Sequence, residues 1–316
     1  MASKMANTLS LMDKNDAQGY AVASRSPEKA AEFAGKWGLD KHYGSYKELV
    51  EDPDVDLVYV ATPHSHHYDC ARLAIEAGKP VLCEKTFTAN AVQAEDLLNL
   101  AHKKGIFITE AMYIRYNPLT LKIRELLESG AIGNPQILDA SLCYRMVEKE
   151  RLFNPALCGG ALLDVGVYPI NLARICFGTD IRTITSSCAL SPSGVDTQNA
   201  ITFTYRDGKI ANLQSSSLFN CDRRAFIGGD EGYIVVDQTG NPHDIDVYDS
   251  AHVKKARFSS PSTQLTGYEY EILACRDALA DGLLESPYMP HQETLEVMKI
   301  MDGLRKEWGV VYPMDL

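Results

Sequence analysis

One stretch decides the fold class of the first half of the chain: Gly78-Lys79-Pro80-Val81-Leu82-Cys83-Glu84-Lys85. It contains a glycine of the kind that ends a helix, a run that is apolar on both faces, and two opposite charges directly after that run. A strand that is apolar on both faces is typical of a parallel sheet covered by helices. Ligands of such sheets bind at the carboxyl ends of the strands. The stretch therefore predicts a fold class and also a place for a site, at Glu84 and Lys85.

The same alternation of short apolar runs and helical periodicity extends over residues 19–130, as expected for a parallel sheet with crossover helices. The predicted strands cover residues 20–24, 57–61, 81–84 and 106–109. The predicted helices cover residues 27–37, 46–51, 67–77 and 91–104. Ser26-Pro27 at a helix start and Gly78 at a helix end agree with this division.

Beyond Gly130 the pattern changes to longer alternating runs, at residues 137–144, 181–189, 201–205, 210–216, 234–236 and 245–248. Asp207-Gly208 is a typical hairpin turn. Two helices, over residues 268–284 and 292–308, close the chain. The sequence thus predicts an α/β protein, with a Rossmann-type dinucleotide-binding domain at 1–118. An α+β domain with a large, mostly antiparallel open sheet is predicted at 119–316.

Composition narrows the class of protein. The 316 residues include 31 Lys plus Arg and 42 Asp plus Glu, which gives a net charge of −11 and argues against nucleic-acid binding. The 8 cysteines form no C-x-x-C pair, as expected for reduced thiols in the cytosol. No long uncharged apolar run and no secretory leader is visible. We expect a cytoplasmic protein without a membrane partner.

Lys85 is the first candidate for chemistry. An amine at the carboxyl end of a buried strand can hold a substrate hydroxyl and share its proton. A solvated Glu–Lys pair that ends a strand explains the same residues about equally well.

A second candidate lies in Gly159-Gly160-Ala161-Leu162-Leu163-Asp164-Val165-Gly166-Val167-Tyr168-Pro169. Asp164 and Tyr168 are four residues apart, so a helix would place them on one face. A phenol beside a lysine cation can act as general acid or base in a carbonyl/alcohol interconversion. On its own, a buried tyrosine with a satisfied hydroxyl is the simpler interpretation.

The third candidate, Thr62-Pro63-His64-Ser65-His66-His67, suggests a metal because it has three histidines in four residues. The spacing completes no zinc pattern, and no partner Cys or His lies at zinc-finger spacing. We expect no metal there, and interpret the segment as a cofactor-edge loop whose last histidine opens the next helix.

The fourth candidate is Ala23-Ser24-Arg25-Ser26, at the end of the first visible strand. In a dinucleotide fold an acid at this point binds the ribose 2′-hydroxyl, whereas an arginine accommodates a 2′-phosphate. The absence of an acid and the presence of Arg25 favour NADP over NAD. An exposed turn arginine is the alternative.

These motifs, in this order, resemble the Gfo/Idh/MocA family of oxidoreductases. Glu84-Lys85 is similar to the family's Glu-Lys-Pro motif, with Thr86 in place of proline, and residues 62–67 resemble its Thr-Pro-Asn-x-x-His loop, with His64 in place of asparagine. Residues 110–118 resemble the segment that joins the two domains, and residues 160–168 resemble the helix with the catalytic aspartate and tyrosine. The form Asp164-Val165-Gly166-Val167-Tyr168-Pro169 and the stretch at residues 285–290 look most like the branch of dihydrodiol dehydrogenases and NADP-dependent D-xylose dehydrogenases.

The resemblance implies hydride transfer between NADP(H) and a secondary alcohol or hemiacetal carbon of a sugar, polyol or trans-dihydrodiol. It implies that Lys85 polarises the oxygen, that Tyr168 moves the proton and that Asp164 orients the lysine or the substrate. It also implies a homodimer through the sheet of the second domain. The implied cofactor-binding residues are Ser24, Arg25, Ser26, Thr62, Pro63, His64, His67, Glu84, Lys85 and Arg115.

One departure from the family pattern concerns the N-terminus. The family's opening strand and G-x-G-x-x-G loop precede its first helix, and here Ala2, Met5, Leu9 and Met12 already have the spacing of that helix. The missing strand is central in a 3-2-1-4-5-6 sheet, so two strand edges are expected to lack a neighbour. We expect an incomplete N-terminus, because the catalytic candidates are retained.

Two other functions stay open on the sequence. One is a degenerate, non-catalytic sugar- or nucleotide-sensing member of the same fold. The other is a metal-dependent hydrolase that uses the histidines. Substrate specificity is expected in side chains of the second sheet and in the loop around residues 146–157. In that loop Glu148-Lys149-Glu150-Arg151 either contacts substrate hydroxyls or, as the favoured alternative, faces solvent.

Overall fold

The computed structural model describes residues 1–316, and the chain groups by compactness into two units. The first unit comprises Met1–Tyr113 and Gln264–Met298, and the second comprises Ile114–Thr263 and Lys299–Leu316. The division at 118/119 into functional domains stays a prediction. By backbone compactness alone, the segment Gln264–Met298 returns to the first unit.

The first unit alternates short strands and helices, and every strand pair in it is parallel. Its strands are β1 (Ala21–Ala23), β2 (Lys41–Tyr43), β3 (Val58–Val60), β4 (Val81–Glu84) and β5 (Ile108–Ala111). Its helices before the second unit are α1 (Ala2–Leu11), α2 (Pro27–Trp37), α3 (Tyr46–Glu51), α4 (His67–Glu76) and α5 (Ala91–Lys104).

These five strands form two sheets rather than one. β1 pairs with β2, and separately β3, β4 and β5 pair in that order. In the 3-2-1-4-5-6 order, the two sheets correspond to strands 3-2 and 4-5-6, so the position between them is that of strand 1. As expected, β1 pairs with a strand on one edge only, and so does β3, and these unpaired edges correspond to the position of strand 1. β1 and β3 are partly exposed over most of their length, whereas β4 and β5 are fully buried.

Local signals place the helices as the sequence predicts. Ser26 accepts a hydrogen bond from the backbone N–H of Lys29 at 3.3 Å, and Pro27 opens α2. Asn90 caps α5 in the same way, and Gly105 ends it with a φ of 67°. Such a left-handed residue suits glycine because glycine has no Cβ.

The core of the first unit explains why the segment after residue 263 belongs to it. Helix α8 (Glu269–Ala280) contributes Ile272, Cys275 and Ala278 to one apolar cluster with Leu82 and Phe107. Helix α1 adds Met5 to this cluster, and Met12, the residue directly after the helix, also belongs to it. Removal of this apolar surface from water is the main term that holds the unit together.

The second unit is built on an eight-stranded sheet with the order β13-β12-β11-β10-β6-β9-β8-β7. All its pairs are antiparallel except β6–β9. The strands are β6 (Pro135–Cys143), β7 (Ile181–Leu190), β8 (Asp196–Tyr205), β9 (Ile210–Ser216), β10 (Ala225–Gly229), β11 (Gly232–Val236), β12 (Asp244–Asp249) and β13 (Lys254–Ser259). Its helices are α6 (Pro118–Glu128), α7 (Val167–Phe177) and the end of α9 (His291–Trp308).

The two faces of this sheet differ. One face carries fully buried side chains such as Leu138, Phe203 and Leu213, and α7 packs against β6 and β9. The opposite face carries partly exposed residues, among them Phe226 and Tyr233. The alternation of buried and exposed positions is the pattern of an antiparallel sheet with one open face.

Four elements were not among those predicted: β2, β10, β13 and α6. β2 and β13 are short and carry charged residues, and β10 ends in Gly228-Gly229, so none has a clear alternating signal. Helix α6 begins at Pro118 after the cap Asn117, a start signal that the sequence does carry.

The segment Pro155–Phe177 is long and apolar enough to cross a membrane by length and composition. In the fold, 89 % of its most apolar window is buried inside the protein, as in the core helix of a soluble protein.

Candidate active site

The carboxyl end of β4 places Glu84 and Lys85 at the edge of the three-stranded sheet. Every residue of Val81–Asn90 is buried, and Lys85 is 8 % exposed. The solvated Glu–Lys pair is therefore excluded as an account of this segment. The Lys85–Thr86 peptide bond is cis.

His67 ties the loop after β3 to the loop after β4. Its Nδ1 lies 2.8 Å from the carbonyl oxygen of Thr86, and its Nε2 lies 2.9 Å from that of Thr62. Burial lowers the pKa of the imidazole to about 4, against the opposing effect of the two carbonyl groups, and a neutral ring donates to only one of them. His67 is the first residue of α4, as predicted, and the ring of His64 packs edge-on against it. These two histidines thus hold the loop containing Thr62 and Pro63 beside Lys85.

Glu84 is fixed by a short hydrogen bond from the hydroxyl of Tyr59 on β3. Burial raises the pKa of the Glu84 carboxyl, while the bond from Tyr59 and the nearby Lys85 oppose that change. Glu271 of α8 is fully buried, and neither of its carboxylate oxygens has a hydrogen-bond partner. Burial, and then the charge of Glu84, raise the pKa of Glu271 well above its usual value.

The end of β1 presents Ser24, Arg25 and Ser26. Ser24 Oγ accepts a hydrogen bond from the Ser26 N–H at 3.3 Å, and Ser26 Oγ donates to Glu28 at 2.7 Å. Arg25 is exposed and lies beside Tyr46; burial raises the pKa of the Tyr46 hydroxyl, and the Arg25 guanidinium opposes that change. A guanidinium and a serine hydroxyl are therefore available at this strand end.

In the second unit, the segment before α7 is a π-helical turn, Leu162–Gly166, rather than the start of an α-helix. This corrects the predicted α-helical geometry, although Asp164 and Tyr168 stay in one continuous helical segment. Both side chains are buried, at 6 % and 7 % exposure. π-helical turns occur frequently at functional sites.

Asp164 forms an ion pair that the sequence did not predict. Arg151 Nη2 donates to Asp164 Oδ1 at 3.0 Å. Of the four residues for which solvent exposure was favoured, Glu148, Lys149 and Glu150 are exposed, whereas Arg151 is partly exposed and paired with Asp164.

Arg115 lies at the start of the second unit, where its Nε donates to Asn171 Oδ1 at 2.7 Å. Asn171 in turn donates to the carbonyl oxygen of Val167 at 2.9 Å. Asn171 is three residues beyond Tyr168 on α7, so this buried pair fixes the helix that carries the tyrosine.

The structure therefore brings the predicted residues together in three groups. Ser24, Arg25 and Ser26 share the end of β1. Thr62, Pro63, His64, His67, Glu84 and Lys85 share the carboxyl edge of β3 and β4. Asp164, Tyr168 and Arg115 are held on or against the π turn and α7. The sequence analysis did not identify Asn171, which binds Arg115, or Asp196, which accepts from the Leu162 N–H at the start of the π turn. A single polar residue inside an apolar pattern forms no motif.

Comparison with known proteins identifies the family. The oxidoreductase family with an NAD-binding Rossmann fold matches residues 2–111, and the GFO/IDH/MocA C-terminal domain matches residues 120–235. A trans-1,2-dihydrobenzene-1,2-diol dehydrogenase of Xenopus tropicalis is 34% identical over 325 residues, covering 99% of this chain and 97% of that protein. The chain belongs to the Gfo/Idh/MocA oxidoreductase family. It is therefore an oxidoreductase with a Rossmann-type dinucleotide-binding half.

Two further relatives of this Gfo/Idh/MocA protein agree with the assignment. An NADP(+) D-xylose 1-dehydrogenase of Hypocrea jecorina is 36% identical over 338 residues, covering 93% of this chain and 84% of that protein. The fold is similar to that of a 3-ketoreductase from Actinomadura kijaniata, with a TM-score of 0.85 at 24% identity, covering 95% and 92% of the two chains.

Proposed function

We propose that this Gfo/Idh/MocA protein transfers hydride between NADP(H) and a secondary alcohol or hemiacetal carbon of a sugar, polyol or trans-dihydrodiol. The observation that carries the proposal is the burial of Lys85, Asp164 and Tyr168, each at a family motif and each held by its own local structure. Burial of a polar side chain costs free energy, and apolar side chains at these positions would serve the stability of the fold without that cost.

In this mechanism Lys85 donates a hydrogen bond to the reacting oxygen and favours negative charge on it. Tyr168 accepts the proton of the alcohol during oxidation and returns it to the carbonyl oxygen during reduction. Asp164 orients the lysine or the substrate, and the ion pair with Arg151 keeps that carboxylate in one position.

NADP supplies the hydride acceptor or donor when it is bound. The residues at the end of β1 fit its 2′-phosphate, because Arg25 is exposed there, Ser24 contributes a hydroxyl, and no acid stands where NAD would require one. The loop Thr62–His67 and Lys85 would line the sheet edge where the remainder of the dinucleotide binds. The sequence carries no G-x-G-x-x-G loop, the element whose backbone N–H groups usually hold the pyrophosphate.

The substrate class follows from two relatives, one named for a trans-dihydrodiol and the other for D-xylose. Both names describe a carbon that carries a hydroxyl beside a second hydroxyl-bearing carbon. We therefore extend that class to this chain.

We also propose a cytoplasmic homodimer that pairs through the open face of the eight-stranded sheet. Rings are concentrated on this face, where Tyr233 stacks on Tyr248 with centroids 4.8 Å apart and Phe226 lies 5.4 Å from Tyr233. Aromatic residues are enriched at protein interfaces. All 8 cysteines are free thiols, which suits a reducing compartment.

The test begins with binding. The chain is titrated with NADPH and with NADH while energy transfer from Trp37 and Trp308 to the nicotinamide is followed. The proposal expects NADPH to bind more tightly than NADH. Turnover is then measured with NADP and either D-xylose or trans-1,2-dihydrobenzene-1,2-diol.

Three variants assign the chemistry. Lys85→Met and Tyr168→Phe are expected to lower kcat by roughly 100-fold or more, the usual contribution of a general acid or base. Tyr205→Phe is the matched control, because Tyr205 is also buried in the second unit and donates only to the carbonyl oxygen of Ala173. Tight nucleotide binding with no turnover of any alcohol or sugar would favour the sensing function instead.

A further inference from the structure

Two side chains from outside the π turn hold its beginning. Asp196, the first residue of β8, is fully buried, and its Oδ2 accepts hydrogen bonds from the Leu162 N–H at 2.8 Å and from Asn199 Nδ2 at 2.9 Å. Tyr312, near the C-terminus, is also fully buried and donates its hydroxyl hydrogen to the carbonyl oxygen of Gly159. The first backbone N–H groups of a helix have no acceptor inside the helix. The Asp196 carboxylate supplies an acceptor for one of them, the N–H of Leu162.

The backbone between these two contacts fits closely against the carboxylate. Gly160 has a φ of 123°, and a Cβ added to it would lie 2.3 Å from Asp196 Oδ1. Any side chain at this position would thus displace Asp196 as well as strain the backbone. The glycine and the aspartate form one fitted pair.

The same hydrogen-bond chain reaches the other end of the π turn. Asn199 Oδ1 accepts from Ser215 Oγ at 2.8 Å, and Ser215 Oγ would lie 2.9 Å from a Cβ on Gly166. Hydrogen bonds therefore link Leu162, the first residue of the turn, through Asp196 and Asn199 to Ser215, whose Oγ packs closely against Gly166, the last residue. Asp164 is in the middle of the segment that this chain spans.

We propose that Asp196 is a positioning residue for the reaction: through Leu162 and the Asn199–Ser215 chain it fixes the π turn that aims Asp164 and Tyr168. This inference rests on the proposed function, because positioning has meaning only if those two residues act on substrate. An ionised carboxylate is suited to the task because a hydrogen bond to a charged acceptor is roughly twice as strong as a neutral one.

Two variants of Asp196 separate the contributions of its oxygen and of its charge. Asp196→Asn keeps an oxygen that can accept from the Leu162 N–H, and Asp196→Ala removes it. Asp230→Asn is the matched control, since Asp230 also accepts a backbone N–H, that of Asn134 at 2.7 Å, but at an exposed turn.

Steady-state kinetics and amide hydrogen exchange are measured on the full chain. We expect kcat to fall in the order wild type, Asp196→Asn, Asp196→Ala, with a loss of roughly 10- to 100-fold in the alanine variant, since a buried bond to a charged group is removed. The KM for NADP is expected to stay within twofold. Exchange is expected to rise about tenfold or more in a peptide over residues 161–168 and to stay unchanged over β10 to β12.

The outcomes distinguish this proposal from the function on which it rests. An alanine variant that is folded and keeps kcat within twofold overturns the proposal, even if its exchange is faster, because Asp196 would then be structural only. If wild type turns over no alcohol or sugar, the proposed function fails and the positioning role fails with it, whatever the exchange shows. If the alanine variant does not fold, Gly160→Ala and Asp196→Asn take its place, and unchanged kcat in both overturns the proposal.

Discussion

The burial of Asp196 leads to a quantitative prediction about how the free energy of unfolding depends on pH. Burial raises the pKa of its carboxyl from an ordinary 3.8 to about 6, against the opposing hydrogen bonds from Asn199 and Leu162. Between these two values the folded chain binds more protons than the unfolded chain, so the free energy of unfolding decreases as pH rises from about 4 to about 6. The full loss of stability caused by ionising the buried Asp196 carboxyl is present above this pH range and absent below it. Each pKa unit is worth about 1.36 kcal/mol, so the cost is about 3 kcal/mol.

Asp196→Asn removes this titration while keeping the shape of the side chain. Urea unfolding of wild type and variant is measured at intervals from pH 4.5 to 7.5, and the difference between their free energies of unfolding is plotted against pH. We expect the variant to gain about 2 kcal/mol relative to wild type between pH 4.5 and pH 7.5, since the rest of the change falls below pH 4.5. The groups that interact with Asp196, namely Tyr312 and Cys188, have raised pKa values and do not titrate in this range.

A difference that stays constant with pH would contradict the reasoning. It would mean that Asp196 titrates at the same pH in the folded and unfolded chains, and that its burial is compensated by more hydrogen bonding than the two donors to Oδ2 provide. The exposed Asp230 serves as the control, because Asp230→Asn should leave the difference flat over the upper half of this pH range.

Three further predictions concern other parts of the molecule. Arg25→Ala should weaken NADPH binding about tenfold or more and leave NADH binding within twofold, measured by fluorescence titration, with Arg124→Ala as an exposed control; equal losses for both nucleotides would count against a phosphate contact. Arg151→Met should lower kcat roughly 10-fold by releasing Asp164, measured in steady-state kinetics, whereas an unchanged kcat would show that the ion pair is incidental. Tyr233→Lys should shift the chain from dimer to monomer in light scattering, and a wild-type chain that is already monomeric would exclude the proposed dimer.

The first unit was largely predictable because its signals are local. Helices α2, α3 and α5 begin and end where the sequence predicts, since caps and glycines mark their ends. The position of Glu84 and Lys85 at the carboxyl end of β4 was also predictable, because ligands of parallel sheets bind at the carboxyl ends of the strands. β2 was missed because three residues with a charge at one end carry no alternating pattern.

The second unit shows what sequence reasoning cannot reach. Asp164 and Tyr168 were visible as a motif, but their supports are not neighbours in sequence. Arg151 comes from the preceding loop, Asp196 comes from β8, and Arg115 acts through Asn171 of α7. Each support is one polar residue whose role depends on a partner that is distant in the chain or placed by tertiary packing.

The division of the parallel strands into two sheets has a consequence for function. Arg25 follows β1, whereas Lys85 follows β4, and no backbone ladder joins the sheets of these two strands. Hydrogen-bonded strands transmit position from one to the next, so here the spacing between the phosphate-binding and the catalytic ends must be set by side-chain packing instead. Helices α3 and α4 pack against each other, and α3 also packs on β1 while α4 packs on β3 and β4. The contact between these two helices is therefore one structural connection between the two ends, and helix α1, which packs on α2 and joins the cluster with Leu82 through Met5, is another.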